Sequence, residues 1–98
     1  MSYNAKVDAN QPEIVAALRK RGAFVWLVHR LPNCCDLVVL YKGIVVAVEV
    51  KNPNGKGTKL TPGEEKFSDA WTENGGKWAM VTSVEEALGL IESIEEHV

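Results

Sequence analysis

Asp36, Glu49 and Lys51 are the residues whose types and spacing could do chemistry together. Hard cations such as Mg²⁺ take oxygen ligands, often one or two carboxylates completed by water and a substrate phosphate. An ion so held lowers the pKa of bound water and stabilises charge on a transferring phosphate. A lysine beside it can position that water or neutralise charge that develops in the transition state. Taken singly, Asp36 is equally a strand-start residue, and Glu49 with Lys51 an ordinary same-face surface pair.

The elements that would bring them together form a hairpin. Asp36–Tyr41 and Ile44–Lys51 are two runs rich in Val, Leu and Ile, joined through Lys42-Gly43. An even-length loop centred on Lys42-Gly43 opposes Tyr41 to Ile44, Val39 to Val46 and Asp36 to Glu49. Opposed residues project from one face, and Lys51, two beyond Glu49, joins them. Opposed like charges destabilise a strand pair, so this register invites a cation. A change of loop parity by one residue would turn Asp36 to the other face.

Around the hairpin the pattern predicts helix, three strands, helix, strand, helix. Residues 1–9 form a loose arm. Asn10 can cap the first helix, with Pro12 in its first turn and Glu13 three residues after the cap. Arg19-Lys20-Arg21 and Gly22 mark its end. Phe24–His29 reads as a strand. Asn52–Lys59 is a loop, and Thr61 with Glu64 has capping-box spacing for the second helix. That helix fails by Asn74-Gly75-Gly76. Lys77–Thr82 is the fourth strand, and Ser83 with Glu86 opens the last helix. Apolar strands between helices indicate an α/β fold, a central sheet covered on both faces.

With 98 residues, 46% apolar and 24% charged, the expectation is one domain, 1–98, of ordinary globular balance. No apolar run approaches the roughly 18–20 residues of a membrane span, and no secretory signal is expected at the N-terminus. Adjacent Cys34 and Cys35 make neither a disulfide framework nor a zinc site, so a reducing cytoplasm is the expected compartment. The net charge of −2 argues against a generic nucleic-acid binder. Its distribution says more: residues 1–52 carry seven Lys/Arg against four Asp/Glu, whereas 53–98 carry four against nine.

The ordered set resembles the PD-(D/E)XK nuclease motif. Within that superfamily it is most similar to the VRR-NUC branch, small phage and bacterial nucleases related to Holliday-junction resolvases. The resemblance rests on Asn10-Gln11-Pro12-Glu13-Ile14-Val15, Asp36-Leu37-Val38-Val39, Val48-Glu49-Val50-Lys51, Leu60-Thr61-Pro62 and the closing strand before Ser83-Val84-Glu85-Glu86-Ala87. It spans roughly residues 8–91. It implies a restriction-endonuclease-like fold with a mixed sheet in the order αβββαβα. It also implies a metal-dependent phosphodiesterase that cuts DNA with water and leaves a 5′-phosphate. Asp36, Glu49 and the Val50 backbone carbonyl would hold Mg²⁺ or Mn²⁺. Lys51 would orient the water, and Glu13 would reach the metal directly or through water. Resolvase relatives imply a homodimer and branched DNA, a four-way junction or flap. No small-molecule cofactor and no membrane partner are implied.

Two positions depart from the pattern. The family usually has Gly-x-Pro before the aspartate, where Asn33-Cys34-Cys35 stands here, and often Gln where Glu64 stands. These departures keep a rival reading open, a nuclease-fold module that binds DNA or a protein partner without cutting. Glu13 is equally a capping partner of Asn10, and Glu64 of Thr61. Arg30, Lys56 and Lys59, with Arg19, Lys20 and Arg21, are candidate phosphate contacts; otherwise they solubilise loops or complement a helix end. His29 ends a strand and reads as structural. Trp26, Trp71 and Trp78 read as core or subunit interface rather than as base-stacking groups.

Overall fold

The computed structural model describes residues 8–54 and 57–97. The elements are α1 (Gln11–Lys20), β1 (Phe24–Leu27), β2 (Leu37–Tyr41), β3 (Ile44–Val50), α2 (Pro62–Glu73), β4 (Lys77–Val81) and α3 (Val84–Glu96). One four-stranded sheet runs β1-β2-β3-β4. The first three strands are antiparallel, and β4 returns parallel to β3 after α2. This is the α/β element order that the pattern predicts and the mixed αβββαβα sheet that the resemblance implies. Among the described residues no helix is long and apolar enough to cross a membrane.

The hairpin has the expected register: Tyr41 faces Ile44, Val39 faces Val46 and Leu37 faces Val48. Lys42 and Gly43 both have left-handed backbone, φ 50° and 80°, as a two-residue turn between twisted strands requires. Alternation along β3 then divides the interior. Val46, Val48 and Val50 join Leu37, Val39, Ile14, Leu18 and Ile91 in the larger core, under α1 and α3. Ala47 joins Val28, Cys35, Phe67, Trp71 and Trp78 in a smaller one, under α2. Glu49 and Lys51 alternate with Val48 and Val50, so they lie on the α2 face.

The strands are shorter than their apolar runs suggest, and for β2 the site is the reason. β2 begins at Leu37, not Asp36. The Asp36 N–H donates to the Val48 carbonyl at 3.1 Å, and the Val50 N–H donates to Asp36 Oδ2 at 2.8 Å. A carboxylate thus replaces main chain at the end of the ladder. Asn10 also differs from expectation. It stands at the N-cap of α1 but makes no side-chain cap bond. Its Nδ2 donates instead to the Lys51 and Thr82 carbonyls, at 3.1 and 2.9 Å, tying the start of α1 to the ends of β3 and β4. Of the arm expected over residues 1–9, positions 1–7 lie outside the described residues.

Candidate active site

Glu49 is only 4% exposed, in a chain where most charged groups reach water. Burial first, then the charge of Asp36 and a hydrogen bond to it, then Glu64, push its carboxyl up to about 9. A carboxylate so placed needs either a proton or a cation. Cys35 borders the same space, and burial, with Cys34 and Glu49 as neighbours, pushes its thiol up to about 12.

Asp36 and Glu49 line a polar cavity of about 130 Å³ with His29, Leu31, Asn33, Cys34, Cys35, Thr61 and Glu64. A wider concavity of about 670 Å³ lies beside it over the first turns of α2. It is lined by neither Asp36 nor Glu49, so the candidate chemistry attaches to the smaller one. In a strand the N–H and C=O of one residue point to the same side. The Val50 N–H meets Asp36, so the Val50 carbonyl looks the same way.

Lys51 lies 2.8 Å from Glu64 Oε1 and 3.7 Å from Glu49 Oε2. Glu64 also completes the expected capping box of α2: its Oε1 accepts the Thr61 N–H at 2.9 Å, while Thr61 Oγ1 accepts the Glu64 N–H at 3.2 Å. It is therefore both cap and lysine partner. The departure before Asp36 is accommodated as well. Asn33 adopts φ 54°, the left-handed region that glycine enters freely and asparagine tolerates. Its side chain packs so closely on Gly63 that a Cβ there would collide with Asn33 Oδ1.

The structure brings Asp36, Glu49 and Lys51 together, with the Val50 main chain beside them. Glu13 is exposed on α1 and does not border the cavity. Gln11 is the buried polar residue of that helix, 3% exposed, with no hydrogen-bond partner for Oε1 among the described residues. Arg21 pairs with Glu95 at 3.4 Å, and Glu95 accepts the Tyr41 hydroxyl; Tyr41 ends β2 at the far side of the sheet from Asp36. Arg19 donates to the Val25 carbonyl at 3.0 Å. Lys20, Arg30 and Lys59 are exposed. Lys56 lies outside the described residues. His29, read from sequence as structural, borders the cavity, and its Nδ1 is buried without a hydrogen-bond partner among the described residues.

The donor set suits a hard cation in part. Among the described residues no three His, Cys, Asp or Glu side chains are gathered to hold a metal ion. Two carboxylates and a main-chain carbonyl, completed by water, are nevertheless a common Mg²⁺ environment.

A solved VRR_NUC domain shares this architecture. The two superpose with a TM-score of 0.67 over 85% of this chain and 95% of that one, at 22% sequence identity. The chain has a VRR_NUC-type fold. No family model matches the sequence, and no curated protein matches it. In the VRR_NUC fold of this chain, Asp36 and Glu49 occupy the hairpin end where β2 gives way to the Asn33–Cys35 turn.

Proposed function

We propose that this chain is a divalent-metal-dependent DNA endonuclease. The observation that carries the reading is buried Glu49 against half-buried Asp36 at the hairpin end, with Lys51 on the same face. Asp36, Glu49 and the Val50 carbonyl would hold Mg²⁺ or Mn²⁺. Such an ion, when bound, activates water and draws charge from the scissile phosphate. Asp36 is fixed by the Val50 N–H, which keeps its second oxygen toward Glu49. Lys51 directs its ammonium to the attacking water or to a phosphate oxygen. Glu64 fixes that ammonium from the start of α2. The substrate is branched DNA, a junction or flap, and two copies act together, since a domain this small offers little surface to one duplex arm.

The Lys51–Glu64 bond favours one rival, a module that binds without cutting because its lysine is already neutralised. Incubation of labelled junction, flap and linear DNA with Mg²⁺ or Mn²⁺ separates the two. Cleavage that disappears in Asp36→Ala supports the nuclease. Asp36-dependent metal binding with no cleavage of any substrate favours the rival. Absence of Asp36-dependent metal binding removes the catalytic reading.

A further inference from the structure

Among the described residues the α2 side of the sheet is only half covered. Helix α2 packs over the β3–β4 side, where Trp71 and Trp78 lie. On β1, β2 and the start of β3 the same face stays open: Phe24 is 64% exposed, Trp26 58%, and Leu40 and Val45 42% each. The register arranges these side chains in rows across the strands. Phe24, Leu40 and Val45 make one row; Trp26, Val38 and Ala47 make the next. The row after that contains Val28, Asp36 and Glu49, with the Val28 N–H on the Asp36 carbonyl at 2.9 Å. Adjacent rows are two residues apart, roughly 7 Å. The exposed aromatics therefore begin one row from the carboxylates, and a strand leaving the cavity along β1 crosses Trp26 and then Phe24.

Charge favours a nucleic acid as the occupant. From Phe24 to Val48 the only acidic residue is Asp36, in a chain with 13 Asp and Glu. Exposed Arg19, Arg30 and Lys42 stand at the margins of this half-sheet. Arg19 also bears on the competing occupant, a second copy paired edge to edge. Its guanidinium takes the Val25 carbonyl at 3.0 Å, on the edge of β1 that such pairing would use.

We propose that this open face is a stacking platform for unpaired nucleotides of the DNA strand being cut, with Trp26 and Phe24 as the base-stacking side chains. Exposed aromatics on a four-stranded sheet are a sequence-tolerant way to hold splayed bases. The inference rests on the nuclease reading for its location and deepens it, because it makes a single-stranded segment the part of the branched substrate that is gripped.

The test uses the full chain carrying Asp36→Ala, so that binding is read without cleavage, with fluorescent oligothymidylate and a blunt duplex as probes. Phe24→Ala/Trp26→Ala should weaken oligothymidylate binding about tenfold or more. It should leave the melting temperature and the weaker duplex binding nearly unchanged. Trp26→Phe should recover most of the loss. Equal oligothymidylate affinity with and without the two aromatics overturns the platform, while Mg²⁺-dependent cleavage by the chain with Asp36 intact would leave the nuclease reading standing. Light scattering covers the competing occupant: a dimer that falls to monomer in Phe24→Ala/Trp26→Ala assigns the face to a second copy and overturns the proposal.

Discussion

Nζ of Lys51 lies nearer to Glu64 Oε1, at 2.8 Å, than to Glu49 Oε2, at 3.7 Å. Burial pulls the Lys51 pKa down, but the bond to Glu64 and the charges of Glu64, Glu49 and Asp36 outweigh it and hold it above its ordinary value. Burial likewise pushes Glu64 up, and the bonds to Lys51 and the Thr61 N–H win and hold it down. Helix α2 thereby sets where the lysine stands.

Glu64→Gln separates the two uses of that side chain. The amide oxygen can still accept the Thr61 N–H, so stability should stay within about 1 kcal/mol of the parent. The charge is gone, and Lys51 is released toward Glu49 and the cavity. Initial rates of Mg²⁺-dependent cleavage should rise severalfold. A rate equal to the parent's would show that Glu64 does not restrain the lysine. Glu64→Ala, which also opens the capping box, should cost roughly 1 kcal/mol in denaturant unfolding.

Metal-free stability should fall as pH rises from about 5 to 9. The folded state keeps a proton on Glu49 up to about 9, whereas the unfolded chain releases it near its ordinary 4.5. Between those values the folded state binds more protons, so raising the pH favours unfolding. The other shifted groups act elsewhere: Glu64 and Glu95 are lowered, below 4.5, and Lys51, Tyr41 and Cys35 are raised, above 9. Thermal melts in chelator at pH 6 and pH 8 read the slope. Added Mg²⁺ should flatten it, because a cation replaces the proton. Identical slopes with and without Mg²⁺ would mean that no cation reaches Glu49.

The hairpin was legible in the residues because one turn decides it. Lys42-Gly43 fixes the parity, and parity places Asp36 and Glu49 on one face. The burial pattern of α1 is legible as well. Gln11, Ile14, Val15 and Leu18 share one helical stripe, and all four are buried. Glu13 falls off that stripe. Its spacing from Asn10 suggests a cap, but Asn10 is spent on the Lys51 and Thr82 carbonyls. That bond spans the ends of β3 and β4, which no local pattern encodes. The Glu64–Lys51 bond is hidden for the same reason, since it depends on where α2 docks. The open face of β1 was hidden too: Trp26 reads as core or interface until α2 is seen to stop short of it and of Phe24.

Lys51→Ala should slow cleavage by about 100-fold or more, the scale of losing a positioned proton-handling group. Mn²⁺ binding, followed by calorimetry, should survive, because the substitution removes a positive charge and no ligand. The same variant with full turnover would reduce Lys51 to a charge that neutralises Glu64.

Glu49→Gln and Glu13→Gln should part company. In Glu49→Gln the new amide cannot carry the negative charge that a divalent cation requires there, so Mn²⁺ affinity should drop at least about tenfold, the lower end of what even a supporting group costs. Glu13 is exposed and away from the cavity, so its variant should bind Mn²⁺ as the parent does. Glu49→Gln also has a signature independent of metal. The amide imitates the protonated carboxyl at every pH, so the pH 6 to pH 8 loss of metal-free stability should shrink. Glu13→Gln should keep that loss in full. Weakened Mn²⁺ binding in both variants would place α1 at the metal after all, with Glu13 swinging in from solvent when the ion arrives. Unchanged binding in both would remove Glu49 from the ligand set and leave its burial as a feature of the fold alone.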